Sequence, residues 1–505
     1  MSIKVTMIGA GSIGFTRRLM HDILAVPALQ DTEFAFTDIN KRNLDMVFQL
    51  AKRDIKENGL PASVQATLDR RKAIAGANYV FSVVRVGGLE AFQSDIDIPL
   101  KYGVDQCVGD TLAPGGIMYA QRGIPVLLDF CKDILEVAAP GCVFMNYANP
   151  MAMMTWACNA YGGVKTIGLC HGVEGSWHQI ADVLGVPKAE LDVTAAGINH
   201  QTWFISVKHR GKEMTPFLLE GFEKHPVYSK TEKVRIDILR RFGYYTTESN
   251  GHVSEYVPWY RKRPNEIRKW IDLSSWINGE TGGYLRVCTE GRNWFKHDFA
   301  NWLKEPAPEI RIVNRSSEHG SHIVEAMQTG RIYRGHFNMV NNGCITNLPA
   351  DCVIEAPGYV DRNGLNMPVI GDLPLACAAT CNASVQVQRM AVQAAVHGDV
   401  TLLKQAMLHD PLTAAVCDPP EIWQMTDALL VAQAKWLPRY KREIANARKR
   451  LASEKSLGTK TSKGAARLKT KGVADMERDR RAARANAGAA DKAARDRKRR
   501  TAKRK

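Results

Sequence analysis

Two features that mark other protein classes are missing from this sequence: a long apolar stretch and a compact set of cysteines. No run of about 18 apolar residues occurs, so we expect no membrane-spanning helix. The 11 cysteines are scattered, mostly inside apolar segments, which is not the spacing of a disulfide framework. The chain enters a strand-like segment at once, MSIKVTMIGAG, without the basic and apolar leader of a secreted protein. These absences predict a protein of the reducing cytoplasm.

Most of the chain also lacks a charge bias, although the formal net charge is +16. Residues 441–505 hold 24 Lys and Arg against 7 Asp and Glu, whereas the other 440 residues hold 44 against 45. The body therefore carries no electrostatic signature of a nucleic-acid partner. From residue 445 the tail is almost devoid of Val, Ile, Leu and aromatic residues. We therefore predict that 441–505 is disordered, with helical patches at most.

Basic runs such as RDRKRRTAKRK end the tail. They suit weak contact with nucleic acid or with another acidic surface. A solvated appendage without a partner explains them equally well, because aromatic residues that could stack on bases are absent.

Strand-like and helix-like segments alternate through the first 196 residues, and 505 residues are too many for one small core. Buried strands are predicted at KVTMIGAG, TEFAFTDI, NYVFSVV, CVFMNYANP and KTIGLCHG, with amphipathic helices between them. This alternation predicts an α/β fold with a doubly wound, Rossmann-type parallel sheet over residues 1–196. Over 197–440 the pattern loosens into a hairpin, helices and strands around an Asn-Gly turn, which indicates a mixed α+β domain.

A glycine-rich turn follows the first predicted strand and opens a helix. Gly9, Gly11, Ser12 and Gly14 belong to a GxGxxG pattern, and Asp38 ends the second predicted strand. In this context the glycines let the backbone approach a pyrophosphate at a helix N-terminus, and the Asp accepts from ribose hydroxyls, which favours NAD over NADP. A glycine turn without a ligand and a helix-capping role for Asp38 are the alternatives.

Cys170 and His200 each end an apparent strand, KTIGLC and VTAAGINH. In an open α/β sheet, the carboxyl ends of the strands form the ligand crevice. A thiolate and an imidazole there suit a divalent transition metal with open positions for substrate. A buried core cysteine beside a hydrogen-bonded histidine is an equally simple reading, and a Cys–His nucleophile pair is the third.

Further polar residues collect where the sheet is expected to open. Asp110, in VGDTLAPGG, and Asn149, in NYANPM, follow predicted strands, although turn chemistry alone also explains each of them. The stretch 248–264, ESNGHVSEYVPWYRKRP, is dense in aromatic and charged side chains. That density suits a sugar site, an oligomer interface or a covering loop.

Taken together, the segments IGAGS, DTLAPGGIM, NYANPMAM, IGLCHGV, GINH, HVSEYVPWY and NLPADCVIEAPGYVDRNG resemble glycoside hydrolase family 4. This is the family of NAD- and Mn-dependent glycosidases, and the resemblance is to its α-galactosidase and α-glucuronidase branches. It covers about residues 3–440 and leaves the tail outside. It implies a Rossmann-type domain followed by a substrate and oligomerisation domain, as in lactate and malate dehydrogenases, and a homodimer or homotetramer.

The resemblance also implies a site and a mechanism. Cys170 and His200 would bind Mn²⁺ or another divalent metal, which chelates the sugar hydroxyls at C2 and C3. NAD⁺ takes hydride from C3, a base removes the acidified C2 proton, the aglycone leaves by elimination, water adds, and the hydride returns. Asn149 and Asp110 match substrate-contacting positions of the family.

The acid and the base are less well defined by the resemblance. Tyr256 is the expected base, with Glu255 and His252 as rivals. The family's phospho-glycosidase branch has an Asp as acid directly after the metal Cys, where this chain has His171. His171 or Asp110 would then serve as acid, unless water suffices.

The substrate implied by the resemblance is an α-galactoside or an α-hexuronide. The CHGV sequence argues against a 6-phosphorylated sugar and favours a hexuronide, whose carboxylate Arg261 and Lys262 could neutralise. The long match in the second half favours a galactoside instead. Two other functions stay open: an NAD-dependent hydroxy-acid or sugar dehydrogenase, and a non-enzymatic NAD-binding sensor whose tail contacts nucleic acid.

Overall fold

The computed structural model describes residues 2–12, 14–273, 277–460 and 464–483. In the first part of the chain, strands and helices alternate as the sequence predicts. Their bounds are β1 Lys4–Ile8, α1 Phe15–Leu24, β2 Glu33–Thr37, α2 Lys41–Glu57, β3 Ser63–Thr67, α3 Arg70–Ile74, β4 Tyr79–Ser82, α4 Gly88–Lys101, α5 Ala113–Val137, β5 Val143–Asn146, α6 Met151–Tyr161, β6 Thr166–Gly168 and α7 Gly172–Leu184. The sequence does not predict β3, because its segment SVQAT is only partly buried at the sheet edge and lacks an apolar run.

The first six strands form a parallel sheet in the order β3-β2-β1-β4-β5-β6. The chain moves outward from β1 to β3, returns to the other side of β1 with β4, and then moves outward again. The strand order therefore reverses between β1 and β4. A reversal of this kind opens a crevice at the carboxyl ends of the strands. The predicted doubly wound, Rossmann-type arrangement is confirmed.

The remaining elements extend the same sheet with antiparallel strands. They are β7 Leu191–Ile198, β8 Gln201–His209, β9 Lys212–Glu213, α8 Thr215–Lys224, α9 Tyr228–Thr231, α10 Lys233–Phe242, α11 Asn250–Tyr256, α12 Pro264–Trp270, α13 Gly283–Lys304, α14 His319–Thr329, β10 Tyr333–Val340, β11 Val353–Asp361, β12 Gly364–Asn366, α15 Leu375–His397, α16 Val400–His409, α17 Pro411–Val416, α18 Pro419–Ala432 and α19 Lys441–Ser453. Beyond β6 the order is β10-β11-β7-β8-β9, with β12 paired to β11. The mixed α+β character predicted for the second half is confirmed, and the expected domain boundary at 196/197 falls inside β7.

Helices cover both faces of the sheet. A large apolar cluster on one face includes buried residues of α5, α6, α15, α16 and α18, and a second cluster on the other face includes residues of α1, α2 and α14. Burial of these apolar faces is the main stabilising contribution expected for such a layered fold. Within the described ranges, no helix is both long and apolar enough to cross a membrane.

The start of the tail differs from the predicted disorder. Residues 441–453 form α19, which packs against α18 and buries Ile444 and Ala447. Residues 454–460 and 464–483 then run back over the body, and we call these residues the C-terminal strap. The amino-acid composition does not predict this ordered structure, because α19 buries only two apolar side chains and because polar contacts hold the strap against the body. Residues 484–505, with most of the basic runs, lie outside the described residues.

Candidate active site

The turn between β1 and α1 brings Gly9 and Gly11 against the neighbouring strands. Gly9 has φ +85°, and a Cβ there would lie 2.9 Å from Val84 Cγ1. A Cβ on Gly11 would lie 2.8 Å from Asp38 Oδ2, which also accepts a hydrogen bond of 2.8 Å from the Gly11 N–H. Both positions therefore need glycine for backbone packing alone, and the close approach holds Asp38 beside the turn.

The same turn leaves space at the start of α1. A Cβ on Gly14 would meet nothing within 4 Å, and Ser12 closes the turn by donating its N–H to the Gly9 carbonyl at 3.0 Å. Asp38 is not the cap of α2, because Asn40 caps that helix by accepting from the Asn43 N–H. A glycine turn with open space before a helix N-terminus and a carboxylate held directly after the second strand fits a dinucleotide.

Three potential metal ligands meet beyond the carboxyl end of β6. Cys170 follows β6, His200 lies in the two-residue turn between β7 and β8, and Glu248 lies in the loop before α11. Their donor atoms all lie within 4.8 Å of one another. His200 has φ +62°, in the left-handed region that few non-glycine residues adopt. The hairpin turn thus holds this imidazole at the edge of the sheet beside the cysteine.

Burial and neighbouring charges set the protonation of this cluster. Burial lowers the pKa of His200 to about 4, so the imidazole is neutral at physiological pH. Burial opposes ionisation of Glu248, but the electrostatic effect of His252 and of the other basic side chains around it, Arg235 among them, outweighs burial and lowers the pKa of Glu248 to about 2. Burial raises the pKa of the Cys170 thiol well above its usual range. A neutral imidazole and a carboxylate are the forms that bind metals, and the thiol would ionise on metal binding.

The donor set itself fits a divalent transition metal. Sulfur, nitrogen and oxygen ligands from Cys170, His200 and Glu248 are the types that Mn²⁺, Zn²⁺ and related ions share in proteins. Glu248 Oε2 lies 3.4 Å from His200 Nε2 and is buried without a hydrogen bond in the described part of the chain. A buried carboxylate oxygen of this kind calls for a cation or an ordered solvent molecule. Three protein ligands would leave positions open for a substrate.

Asp110 and Asn149 come together beside this cluster. Asn149 Nδ2 donates to Asp110 Oδ2 at 3.3 Å, and Arg85 Nη2 lies 2.7 Å from the same oxygen. Asp110 Oδ1 is buried without a hydrogen bond among the described residues. Arg85 in turn packs over the rings of Phe92 and Tyr119, at 4.4 and 5.1 Å from their centroids. One Asp110 oxygen is therefore fixed by Arg85 and Asn149, and the other is buried without a protein partner in the described part of the chain.

Of the three candidate bases, two lie at the cluster and one does not. The centroid of the Tyr256 ring lies 6.4 Å from that of His200, and the His252 ring lies 4.4 Å from it. Burial raises the pKa of Tyr256 well above 10. Glu255 points away and accepts from the N–H groups of residues 107, 108 and 109. Glu255 is therefore an anchor for the loop that precedes Asp110, and its carboxylate is not free to act as a base.

The polar residues at the rim occupy different environments. His171 forms the N-terminal boundary of α7, with its side chain 56% exposed and Nδ1 3.6 Å from Glu318 Oε1. Arg261 is fully buried, where it pairs with Asp105 at 2.8 Å and donates to the Gly279 carbonyl. The expectation that Arg261 neutralises a uronate is therefore wrong, because its guanidinium is already engaged inside the protein. Lys262 is exposed.

Two residues of the site are missing from the sequence-based set. Glu248 completes the metal cluster, and Arg85 fixes Asp110. A signal for Glu248 exists, since it stands four residues before His252 in the polar stretch that the sequence singles out. Arg85 directly follows the strand-like segment NYVFSVV and is the first charged residue after it. Neither signal distinguishes a site residue from an ordinary loop residue.

Two family models match consecutive parts of the chain. The model described as family 4 glycosyl hydrolase matches residues 4–186, and that of the family 4 glycosyl hydrolase C-terminal domain matches residues 195–413. The chain is 58% identical over 487 residues to an alpha-galactosidase of Rhizobium meliloti, covering 96% of this chain and 99% of that protein. It is 34% identical over 444 residues to an alpha-galactosidase of Bacillus subtilis, covering 87% and 100%.

Solved structures share the fold at lower identity. A 6-phospho-alpha-glucosidase from gut microorganisms, in complex with NAD and glucose-6-phosphate, matches with a TM-score of 0.73 and 22% identity over 87% of this chain and 99% of its own. The 6-phospho-beta glucosidase of Thermotoga maritima, with manganese, NAD+ and glucose-6-phosphate, matches with a TM-score of 0.70 and 22% identity over 86% and 99%.

A more distant sequence relative is an alpha-galacturonidase of Thermoanaerobacterium saccharolyticum. It is 26% identical over 444 residues, covering 81% of this chain and 91% of that protein.

Proposed function

The chain belongs to glycoside hydrolase family 4, and on this basis we propose that it hydrolyses α-galactosides with the help of NAD⁺ and a divalent metal, preferably Mn²⁺. The proposed reaction is a redox-assisted elimination and addition at the sugar ring, with no net oxidation of the substrate. Carbohydrate metabolism is the proposed setting. The observation that carries the proposal is the cluster of three potential metal ligands, Cys170, His200 and Glu248, in the same molecule as a glycine turn at the end of β1.

A series of contacts connects the glycine turn with the three potential metal ligands. Gly9 packs against Val84, the residue before Arg85. Arg85 pairs with Asp110, whose negative charge acts on buried His200. The glycine turn after β1 and Cys170 after β6 thus lie at the carboxyl ends of two strands of one parallel sheet, separated by β4 and β5. A hydride acceptor and a metal-bound sugar have to meet in such an arrangement.

The residues proposed to hold the two cofactors follow from this geometry. Gly9, Gly11, Ser12 and Gly14 would receive the pyrophosphate, and Asp38 the ribose hydroxyls. Cys170, His200 and Glu248 would hold the metal. When bound, NAD⁺ supplies reversible hydride acceptance at C3 and the divalent ion supplies Lewis acidity that makes the C2 proton removable.

The remaining roles belong to side chains around the cluster. We assign Tyr256 as the base that takes the C2 proton, as the family resemblance implies. Its ring lies 6.4 Å from that of His200, and the carboxylate of its rival Glu255 is engaged elsewhere, whereas His252 stays the second candidate. Asp110 Oδ1 and Asn149 are positioned to accept and donate hydrogen bonds with sugar hydroxyls. His171, at the exposed rim, is the proposed acid toward the departing aglycone. If Tyr256 is the base, Tyr256→Phe should abolish C2 proton exchange, and His252→Gln should only slow it.

An α-galactoside is preferred over an α-hexuronide for two reasons. The two alpha-galactosidases are the more similar relatives, at 58% and 34% identity against 26% for the alpha-galacturonidase. Arg261, the cation that would best suit a uronate, is buried in an ion pair with Asp105. The Cys-His-Gly sequence of residues 170–172 still leaves the hexuronide as the alternative substrate.

We also propose that the protein is cytoplasmic and that it forms a homo-oligomer. All 11 cysteines are free thiols, which suits a reducing compartment such as the cytoplasm. A homodimer or homotetramer is proposed from the family resemblance. Size-exclusion chromatography with light scattering would measure the mass of the assembly, and a monomer at micromolar concentration would contradict this part.

The substrate and the cofactors can be tested together. Release of nitrophenol from the α-galactoside, the α-galacturonide and the α-glucuronide would be measured with NAD⁺, Mn²⁺ and a thiol reductant, and then with each omitted. We expect release from the galactoside only when both cofactors are present, without accumulation of NADH. Accumulation of NADH without nitrophenol release would instead identify a dehydrogenase and would contradict the proposal.

A further inference from the structure

Glu355 is a buried carboxyl group to which the proposed reaction gives no role. It lies in β11 and is 1% exposed. Its Oε2 accepts a hydrogen bond of 3.1 Å from Thr202 Oγ1, and its Oε1 has no hydrogen bond among the described residues. The amide groups of Asn338 and Asn199 lie beside the same carboxyl group. Burying a carboxyl group is costly, so its place in the fold needs a reason.

The first connection leads to the segment that carries Cys170. Asn338, in β10, lies directly opposite Glu355 in the antiparallel ladder. On its other side Asn338 is paired with Gly168, the last residue of β6, two residues before Cys170. A Cβ on Gly168 would lie 2.9 Å from Asn338 Cβ, so the two strands are in close contact here.

The second connection leads to His200. Glu355 is paired with Gly197 near the end of β7, three residues before His200. Thr202, whose hydroxyl donates to Glu355, stands two residues after His200 at the start of β8. Asn199, beside the carboxyl group, directly precedes the histidine. Glu355 thus contacts the hairpin on both sides of the turn that holds the imidazole.

The third connection leads to Glu248. The Thr247 hydroxyl donates to Thr202 Oγ1 at 3.0 Å, and the Thr247 N–H donates to the Thr202 carbonyl at 2.9 Å. The Thr202 N–H in turn donates to Thr247 Oγ1 at 3.0 Å. Both threonines are fully buried. The loop before α11 is therefore tied to β8 at the residue that precedes Glu248, through the threonine that binds Glu355.

We propose that Glu355 is a positioning residue for the metal centre. It lies between the segments that carry Cys170, His200 and Glu248. Asn338, opposite it in the ladder, is paired with Gly168 of β6, and Thr202, which donates to Glu355, is bonded to Thr247. The Glu355 carboxyl group is not one of the three donor groups that lie within 4.8 Å of one another. The inference rests on the proposed metal site, and it predicts that loss of the carboxyl group loosens all three ligands together. Residues behind metal ligands typically contribute about 10- to 100-fold to metal affinity.

The test is a titration of the full-length protein with Mn²⁺ alone, by calorimetry, for the wild type and three variants. We expect Glu355→Ala to weaken Mn²⁺ binding about 10- to 100-fold. Thr202→Val keeps the side-chain shape but removes the hydroxyl, and should weaken binding several-fold. Glu355→Gln keeps an oxygen that accepts from Thr202, so its affinity should stay closest to that of the wild type. NAD⁺ affinity, measured by fluorescence quenching, should not change in any of them.

Asp427→Asn is the matched control, because Asp427 is a buried carboxylate of α18 that pairs with Lys404 and Arg450. It should lower the free energy of unfolding while leaving Mn²⁺ affinity unchanged, which separates general destabilisation from an effect on the ligands. If Glu355→Ala does not fold, Thr202→Val alone decides. Mn²⁺ binding by the folded Glu355 and Thr202 variants within twofold of the wild type would overturn the inference. No Mn²⁺ binding by the wild type would overturn the proposed function and the inference with it.

Discussion

Glu255→Gln tests whether this carboxylate anchors the active-site loop or acts as the catalytic base. Its Oε1 accepts from the N–H groups of Cys107 and Val108, the latter at 2.7 Å, and its Oε2 accepts from Gly109 at 3.0 Å. Gly109 is the residue before Asp110, so the carboxylate fixes the start of the segment that enters the site. The Gln side chain has nearly the same size but only one oxygen.

The expected magnitude follows from the bonds that Gln cannot make. Its NH₂ group would face at least one of the three backbone donors, so one hydrogen bond to a buried charge is lost and one donor is left unpaired. Hydrogen bonds to charged groups contribute about 1.5–3 kcal/mol, and a buried unpaired donor costs about 1–3 kcal/mol. Because both figures describe the same lost bond, they do not add, and we expect the free energy of unfolding to fall by about 2–3 kcal/mol and kcat/KM to fall because Asp110 is displaced.

Urea denaturation followed by circular dichroism measures the free energy of unfolding. Nitrophenol release measured as a function of pH gives kcat/KM and the shape of the pH profile. Glu223→Gln is the control, because Glu223 is an exposed residue of α8 in an ion pair with Arg240 and should change stability by less than about 1 kcal/mol. An anchor changes stability and leaves the shape of the pH profile intact. A variant of wild-type stability that loses a limb of the pH profile would refute this reasoning and would make Glu255 the base.

Three further predictions concern other parts of the chain. Deleting residues 454–505 should lower the melting temperature, because the hydrogen bond from the Ala465 N–H to buried Asp105 is lost. A melting temperature equal to that of the full chain in differential scanning calorimetry would contradict this. Asp38→Ala should weaken NAD⁺ binding about 10- to 100-fold, from loss of a charged acceptor, and unchanged fluorescence quenching would argue against the cofactor assignment. Burial opposes ionisation of Asp54, but hydrogen bonds from His21 and two arginines lower its pKa from 3.8 to about 2. Asp54 therefore stabilises the fold by about 2 kcal/mol above pH 4 and loses this effect as the pH falls toward 2, so Asp54→Asn should be destabilising at pH 7 and progressively less so in acid denaturation.

The sheet and two of the proposed metal ligands can be predicted from the sequence because their signals are local. Apolar runs separated by amphipathic helices define the parallel strands, and Cys170 and His200 each follow an apolar run. Their proximity does not follow from a common edge of parallel strands, because Cys170 follows the parallel strand β6 whereas His200 lies in the turn after the antiparallel strand β7. The sequence resemblance then assigns them to a metal, which the periodicity alone leaves open.

Glu248 cannot be predicted in the same way, because its position depends on contacts between distant segments. Glu248 lies in a loop that is held against β8 by two contacts. Thr246 forms a β-bridge with Trp203, and Thr247 is hydrogen-bonded to Thr202. No periodicity within the loop reports these pairings. The same holds for Arg261, which looks like a surface cation in the sequence and is buried because Asp105, far away in the chain, provides its partner.

The tail shows a different limit. Low apolar content predicts disorder well when a segment must build its own core, but α19 and the strap bind to a core that already exists. Arg467 pairs with Asp97 at 2.8 Å, and Arg480 packs 3.8 Å from the centroid of the Trp294 ring. Two basic residues of the strap are therefore used within the chain, whereas the run RDRKRRTAKRK, which suggests a nucleic-acid contact, lies outside the described residues.

The central claim is that a metal centre beside a dinucleotide site cleaves the glycoside through proton removal at C2. The most direct test is hydrolysis of the α-galactoside in D₂O with NAD⁺ and Mn²⁺, followed by NMR of the released sugar. The account predicts that the product carries deuterium at C2, because the proton removed there is replaced from solvent after water has added. Aglycone release with the original hydrogen retained at C2 would indicate direct displacement and would contradict the account.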